Sequence, residues 1–217
     1  MNRAWILFFV VSGIQLAAIL FNFEGIRMVT KPMLIPVLMY YYVHQNPKPD
    51  RGILIALFFS FLGDVFLLGE GPLYFLLGLA SFLATQILYV IKTGERVVRT
   101  RKNMILAGLP YGIYGFLLLS FLYPTLGNLM PAVVLYAAVI CAFGVFSLIY
   151  WHQKLPKRNW LTIGAFLFIV SDSMLAVNEF YFQSNFFGPG VMVTYLAAQG
   201  CITFFFKQDA LALTHHE

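Results

Sequence analysis

Long apolar runs recur along the whole chain and are separated by short polar breaks. A helix needs about 20 apolar residues to cross the hydrocarbon layer of a membrane. Runs that approach this length lie at about 4–22, 32–45, 52–69, 71–91, 104–123, 128–151, 159–179 and 188–206. This pattern predicts an all-α integral membrane protein with eight transmembrane helices, forming a single transmembrane domain over residues 1–217.

Turn-forming residues mark the breaks between several of these runs. They lie at Gly69-Glu70-Gly71-Pro72, from Tyr123-Pro124 through Asn128, and from Asn185 to Gly190. The second run is short and opens at Lys31-Pro32, which predicts Pro32 in the first helical turn, where proline is tolerated, and Lys31 at the membrane edge. The first run follows Arg3 and is interpreted as a retained helix rather than a signal peptide.

The composition excludes several classes of protein. Hydrophobic residues make up 60% of the chain and charged residues only 11%, whereas soluble domains carry about 25% charged residues. A soluble enzyme, a disordered chain and a nucleic-acid-binding module are therefore not expected. Cys141 and Cys201 both sit in apolar runs, and two cysteines are too few for a disulfide scaffold or a multi-cysteine metal site.

The basic residues give the predicted helices an orientation. With eight spans, 12 of the 14 lysines and arginines fall on the side of the two termini: Arg3, Lys48, Arg51, Lys92, Arg96, Arg99, Arg101, Lys102, Lys154, Lys157, Arg158 and Lys207. Only Arg27 and Lys31 fall on the other side. The positive-inside rule then places both termini in the cytoplasm. The short loops favour a multi-pass protein of a bacterial inner membrane, and they leave any chemistry to the helices.

Two acidic residues lie well inside predicted spans. Asp64 occurs in SFLGDVFLLG and Asp172 in FIVSDSMLAV, and an intramembrane carboxylate is a functional-site hypothesis by default. Asp64 follows Arg51 by 13 residues and Asp172 follows Arg158 by 14. At 1.5 Å per residue, both carboxyl groups are expected about 20 Å from the cytoplasmic edge, at one level in the outer half of the membrane.

Other polar residues are predicted near the same level. Tyr195 and Gln199 are spaced i, i+4 and share a helix face, and Lys31 can reach this level by snorkelling. Glu179 follows Asp172 by two helical turns, with Asn178 beside it. These five residues, namely Lys31, Tyr195, Gln199, Asn178 and Glu179, are the candidate substrate-binding residues.

The two segments around the aspartates resemble each other. Each has a small residue directly before the aspartate and a leucine three residues after it, as in Gly63-Asp64 with Leu67 and Ser171-Asp172 with Leu175. The segments are four spans apart and run in the same direction. This suggests a four-plus-four parallel repeat, a plan known in membrane proteins.

Several chemistries are disfavoured by the residues that the spans lack. His44 and His152 lie near the cytoplasmic boundary and His215 and His216 in the tail, so a histidine-rich intramembrane zinc site is not expected. The sequence has no G-x-S-x-G nucleophile motif and no phosphate-binding glycine loop. Neither a metal nor a cofactor is predicted, which leaves acid–base chemistry or ion coupling by carboxylates.

The chain resembles the YhhN-like lysoplasmalogenase family of eight-helix membrane proteins. The resemblance rests on Lys31-Pro32, FSFLGD at 59–64, LFIVSDSMLAVNEF at 167–180 and TYLAAQ at 194–199. Family members often carry a histidine in the fourth span, where this chain has Gln86 in SFLATQILYV. If that histidine matters to the reaction, this chain differs in rate or substrate.

The resemblance implies a membrane-embedded hydrolase that cleaves the vinyl ether bond of lysoplasmalogens, lysophospholipids of the bilayer, to a fatty aldehyde and a glycerophospho-headgroup. Such a bond hydrolyses by proton delivery to the alkene carbon, followed by addition of water to the oxocarbenium ion. Asp64 and Asp172 suit the roles of proton donor and cation-stabilising carboxylate. Tyr195 and Gln199 could position water or glycerol oxygens, and Lys31 could meet the phosphate or keep one carboxylate ionised.

Two other readings stay open. In a proton- or cation-coupled transporter, Asp64 and Asp172 would carry the coupling ion. In a non-catalytic lipid-binding or assembly protein, the two aspartates would be dispensable for lipid binding. The sequence does not assign the acid between the two aspartates, the headgroup preference or the oligomeric state.

Overall fold

The computed structural model describes residues 3–44, 46 and 48–214. Among these residues there are eight α-helices and no strand: α1 (Arg3–Leu20), α2 (Glu24–Val43), α3 (Arg51–Phe66), α4 (Pro72–Gly94), α5 (Arg101–Leu126), α6 (Met130–His152), α7 (Arg158–Val177) and α8 (Gly188–Thr214). Helical turns of other types occur at Gly127–Leu129, Asn178–Phe182 and Asn185–Phe187. The predicted tail residues His215 and His216 lie outside the described residues. The all-α fold is confirmed.

The described helices are apolar enough for a membrane protein. Five stretches have the length and composition to cross a membrane: Arg3–Leu20, Pro72–Gly94, Arg101–His152, Arg158–Phe182 and Gly188–Leu211. The third stretch has 52 residues and contains both α5 and α6. Helices α2 and α3 are outside this set, and α3 has only 16 residues. The chain is therefore an integral membrane protein, while the count of eight crossings and the four-plus-four repeat stay predictions.

Helix α2 begins earlier than its apolar run indicates. It starts at Glu24, so Pro32 lies inside the helix and the prediction that it occupies the first turn is wrong. Hydropathy misses the first turns because they are polar, yet a glutamate is favourable there beside the positive end of the helix dipole. Interior prolines such as Pro32 and Pro36 are tolerated in membrane helices, where neighbouring groups compensate for the lost N–H.

Turn chemistry explains two of the helix ends. Asn22 adopts a positive φ of 55° after α1, and the Phe23 N–H donates to the Ala18 carbonyl at 2.8 Å, which is the hydrogen bond of a Schellman C-cap. Gly71 has a φ of 97°, which glycine adopts at little cost, and Pro72 is the first residue of α4. The predicted break between the third and fourth runs is confirmed.

The helices pack as two compact units. The first comprises residues 1–88 and 203–217, and the second comprises residues 89–202. Helices α4 and α8 each contribute to both units. In the first unit α1 packs on α2 and α2 on α3, and in the second α5 packs on α6 and α6 on α7. The single transmembrane domain over 1–217 stays a prediction.

A lysine ties two helices together in the first unit. Lys207 is only 4% exposed, although the charge pattern alone treats it as a loop cation. Its Nζ donates to the carbonyl oxygens of Tyr41 and His44, each at 2.6 Å, and lies 4.1 Å from the centre of the Tyr41 ring. The ammonium therefore caps the last carbonyls of α2, where a cation is favoured.

Large apolar side chains cover the outer surface of α5. Leu109, Phe116 and Leu117 are 64%, 70% and 61% exposed. Exposed apolar surface of this extent is uncommon in soluble monomers. It is the surface expected of a helix in contact with lipid acyl chains.

Candidate active site

Close packing of α3 on α4 holds Asp64 near the end of α3. Gly63 precedes Asp64, and a methyl group added at Gly63 would come within 2.6 Å of the Phe82 ring. Likewise, a methyl group added at Gly78 would lie 2.7 Å from the Leu67 side chain. The small residue before the aspartate therefore lets α4 approach, and Asp64 itself is 2% exposed.

Hydrogen bonds fix the register of these two helices. The Ser60 hydroxyl donates to Thr85 Oγ1 at 3.2 Å, and Thr85 Oγ1 lies 3.0 Å from the Ala56 carbonyl oxygen. Since Ser60 meets Thr85 while Gly63 meets Phe82, the helices run antiparallel. Each of these buried hydroxyl groups has a hydrogen-bond partner, and the bonds stabilise the contact between the two helices.

Lys31 of α2 interacts electrostatically with Asp64. The charges of Asp64 and Arg27 both act on the Lys31 ammonium, and Lys31 is half-buried. The preceding residue, Thr30, donates its hydroxyl hydrogen to Gln15 Oε1 of α1. This contact anchors the α2 turn that carries Lys31 to α1.

Asp172 has a different partner in the second unit. The hydroxyl of Tyr136, on α6, donates to Asp172 Oδ2, and Tyr136 is 8% exposed. Ser171 donates to the Val191 carbonyl of α8 at 3.0 Å. The aspartate is therefore held from the α6 side by a neutral hydroxyl, while the residue before it ties α7 to α8.

Tyr195 and Gln199 belong to a short hydrogen-bonded chain in the same unit. Gln199 Nε2 lies 3.5 Å from the Tyr195 hydroxyl oxygen, which confirms that the two residues share a face of α8. The Tyr89 hydroxyl donates to Gln199 Oε1 at 3.0 Å. The Tyr195 ring packs edge-on against Phe168, with ring centres 5.7 Å apart, so packing orients the Tyr195 hydroxyl.

Asn178 and Glu179 lie directly after α7, where the chain continues as a π-helical turn. Asn178 begins a π-helical turn, and its Oδ1 accepts a hydrogen bond from the Ser184 N–H at 2.9 Å. Glu179 is exposed. Asn178 thus shapes the end of α7, and the substrate-binding roles of both residues stay predictions.

An apolar groove opens between α5, α6 and α7, with a volume of about 280 Å³. It is lined by Pro110, Tyr111, Tyr114, Leu148, Phe166, Ile169 and Val170. The Tyr114 hydroxyl forms a hydrogen bond with Ser173, the residue after Asp172. Gly144 lies under the groove, since a methyl group there would come within 2.5 Å of the Tyr111 ring.

The described residues contain no group of three histidine, cysteine, aspartate or glutamate side chains that could hold a metal ion. What they offer are two carboxyl groups in unlike settings, Asp64 in α3 and Asp172 in α7. Asp64 interacts electrostatically with the Lys31 ammonium group, and Asp172 accepts a hydrogen bond from the Tyr136 hydroxyl.

An integral membrane protein whose apolar helices carry acidic side chains, one of them hydrogen-bonded to a tyrosine of another helix, is the class defined by this fold and site. The chain belongs to the YhhN family, whose sequence pattern matches residues 26–205. It is 34% identical over 166 residues to a Bos taurus protein named lysoplasmalogenase TMEM86A, covering 73% of this chain and 65% of the relative. The Homo sapiens protein of that name is 30% identical over 163 residues, with the same coverages.

The chain thus spans about 65% of the length of these curated relatives. No solved structure matches it. The family resemblance stated from the motifs is confirmed.

Sequence reasoning missed Tyr136, Tyr89 and the Tyr114–Ser173 pair. The chain has 12 tyrosines, and aromatic residues are common in apolar helices for packing alone. Their hydroxyl contacts join different helices, so no local motif marks them. One available signal was that buried tyrosine hydroxyls usually find a partner.

Proposed function

We propose that this protein is a lysoplasmalogenase, a membrane-embedded hydrolase of the vinyl ether bond of lysoplasmalogens. Family membership and the names of the two relatives support the reaction. The observation that carries the mechanism is the intramembrane carboxyl group of Asp172 held by the Tyr136 hydroxyl. A carboxyl group among apolar residues favours its protonated form, which a proton donor requires.

The reaction proceeds in three steps with no redox change. A carboxyl group gives its proton to the distal alkene carbon, and the alkene electrons form the new C–H bond and leave an oxocarbenium ion. Water adds to the cationic carbon and returns one proton to the carboxylate, which gives a hemiacetal. The hemiacetal then loses the glycerol oxygen as an alcohol and collapses to a fatty aldehyde.

We assign Asp172 as the acid and Asp64 as the carboxylate that stabilises the cation. An ammonium group favours the charged form of a carboxylate with which it interacts, and Lys31 interacts with Asp64 through its charge. The partner of Asp172 is a neutral hydroxyl. Lys31 is also suited to the lipid phosphate, because an ammonium group recognises phosphate as a point charge.

The remaining candidates serve to position the substrate. Tyr195 and Gln199 orient water or a glycerol oxygen, and Asn178 and Glu179 shape the outer end of α7. The apolar groove between α5, α6 and α7 receives the alkenyl chain. Its tyrosines present ring surface, since the Tyr114 hydroxyl is already bonded to Ser173. A lysophospholipid can enter such a groove directly from the bilayer.

The topology is part of the proposal. Eight crossings put both termini in the cytoplasm, and the short loops fit a bacterial inner membrane. Labelling of single cysteines introduced beside Arg3 and Arg101 tests this orientation in intact cells. Both positions are expected to be shielded from a membrane-impermeant reagent.

The decisive experiment measures aldehyde release from lysoplasmalogen by the purified protein in detergent. Asp64→Asn and Asp172→Asn are each expected to lower the rate by about 100-fold or more, because removal of an acid–base group costs about 10²–10⁴-fold. The matched control is Asp50→Asn. Asp50 accepts a hydrogen bond from the Gly52 N–H at 2.7 Å as the N-cap of α3, and asparagine caps equally well.

The outcomes separate the alternatives. A wild-type protein that folds but releases no aldehyde, yet moves protons or cations in vesicles, supports the transporter. Wild-type rates in both aspartate variants would show that the carboxyl groups take no part. Non-additive loss in the double variant would show that both act in one reaction.

A further inference from the structure

Gln86, on α4, is a buried amide whose hydrogen-bonding groups are not used within the fold. Its exposed fraction is 0%, and neither Oε1 nor Nε2 has a hydrogen-bond partner among the described residues. Other buried glutamines do have partners: Gln15 accepts from Thr30 and Gln199 accepts from Tyr89. Leaving a buried polar group unpaired is costly, so an unpaired amide calls for a reason other than stability.

Gln86 lies on the same side of the α3–α4 interface as Asp64. Asp64 follows Gly63 and Gln86 follows Thr85, and both preceding residues are contact points between the helices. In a pair of antiparallel helices, the residue that follows a contact residue points to the same side of the interface in both helices. The register separates Gln86 from Asp64 by five residues along the interface, about 7.5 Å at 1.5 Å per residue.

We infer that the Gln86 amide binds the free hydroxyl on the central glycerol carbon of the lysolipid and thereby selects lysolipids over lipids with two chains. This inference rests on the proposed function. An amide offers an acceptor and donors side by side, and a hydroxyl can donate to Oε1 while it accepts from Nε2. The central hydroxyl is on the glycerol carbon next to the one that carries the vinyl ether. A lipid whose vinyl ether lies near Asp64 therefore also has this hydroxyl close by.

A two-chain lipid has an ester at the central carbon and cannot donate to Gln86. A binding site built around a substrate hydroxyl can reject the analogue that lacks it by about 10,000-fold or more, because the protein's own polar groups stay unpaired. Apolar contacts with the chain discriminate far less. A single buried amide therefore suffices to make the enzyme specific for lysolipids.

The test uses Gln86→Met, which keeps the side-chain length and removes the polar atoms. The substrates are a lysoplasmalogen and the same lipid with hydrogen in place of the central hydroxyl, and kcat/KM is measured by aldehyde release. The wild-type protein is expected to prefer the lysoplasmalogen strongly. In Gln86→Met, kcat/KM is expected to fall about 10- to 100-fold for the lysoplasmalogen and little for the deoxy lipid. The ratio of the two kcat/KM values should therefore fall by at least about tenfold.

Thermal unfolding separates this role from a structural one. Because Gln86→Met removes an unpaired buried amide, its melting temperature is expected to stay the same or rise by about 2–4 °C. The matched control is Gln15→Met, which breaks the bond from Thr30 and should melt lower with an unchanged preference between the two lipids. A lower melting temperature for Gln86→Met together with an unchanged preference would overturn the inference.

The inference can fail separately from the proposed function. If the wild-type protein releases no aldehyde from either lipid, the proposed function fails. Binding of a saturated ether lysolipid and of its deoxy analogue then tests Gln86 alone. At least tenfold tighter binding of the hydroxyl form by wild type, lost in Gln86→Met, would support the site. Equal binding of the two lipids by wild type would overturn it.

Discussion

Removal of one hydroxyl group tests the assignment of Asp172 as the acid. Tyr136→Phe deletes the donor to Asp172 Oδ2 and leaves the ring, which is 8% exposed and held by packing. As Asp172 gives up its proton it gains negative charge, and its hydrogen bond strengthens from about 0.5–1.5 to about 1.5–3 kcal/mol. The difference of about 1–1.5 kcal/mol exists only in the transition state, and it corresponds to about a tenfold loss of kcat.

The assay is kcat for aldehyde release at saturating lysoplasmalogen. Tyr114→Phe is the matched control, because Tyr114 is a partly buried tyrosine of the same unit whose hydroxyl bonds to the neutral Ser173. Its effect on kcat is expected to be clearly smaller than that of Tyr136→Phe. Both variants should unfold within a few degrees of wild type, since each loses one hydrogen bond.

The direction in which kcat changes in Tyr136→Phe tests the role of Asp172 as the acid. If Asp172 were instead the ionised carboxylate that stabilises the oxocarbenium ion, the bond from Tyr136 would weaken as charge is neutralised. Tyr136→Phe would then leave kcat unchanged or raise it, and the role of acid would pass to Asp64. An unchanged kcat in Asp172→Asn as well would remove Asp172 from the chemistry altogether.

Three further changes probe the groove, the α2 cap and the phosphate contact. Gly144→Ala forces a methyl group to within 2.5 Å of a groove tyrosine. The dependence of kcat/KM on chain length should therefore shift toward shorter alkenyl chains. The control Gly112→Ala adds a methyl group with no atom within 4 Å and should leave that dependence unchanged. Lys207→Met removes two ammonium–carbonyl hydrogen bonds of 2.6 Å. It should lower the free energy of unfolding by about 2–4 kcal/mol, and the melting temperature by about 5–10 °C. The control Lys102→Met changes an exposed lysine and should melt like wild type. Lys31→Met should raise KM by about tenfold through loss of the phosphate contact. It should also lower kcat, because Asp64 loses the cation that favours its charged form. A KM equal to that of wild type would argue against a phosphate contact.

The helices were predictable from the sequence, but some of their ends were not. The break at Gly71-Pro72 carries its own turn chemistry, and it occurs as predicted. The start of α2 was misplaced because hydropathy reports apolar length, whereas a helix can continue through polar turns such as the one at Glu24. Lys207 was treated as a surface charge, since nothing local indicates that the end of α2 lies within its reach.

The sequence by itself determined that this is a helical membrane protein with acids inside its apolar runs, because apolar length and helical period are local properties that each segment carries alone. The shared face of Tyr195 and Gln199 followed from the same period. Only the tertiary structure decided the partners of these groups. Tyr136 and Asp172 are 36 residues apart, and Tyr89 and Gln199 are 110 apart. Such contacts depend on how separate helices pack. The lack of a hydrogen-bond partner for the Gln86 amide among the described residues therefore became visible only from the packed helices.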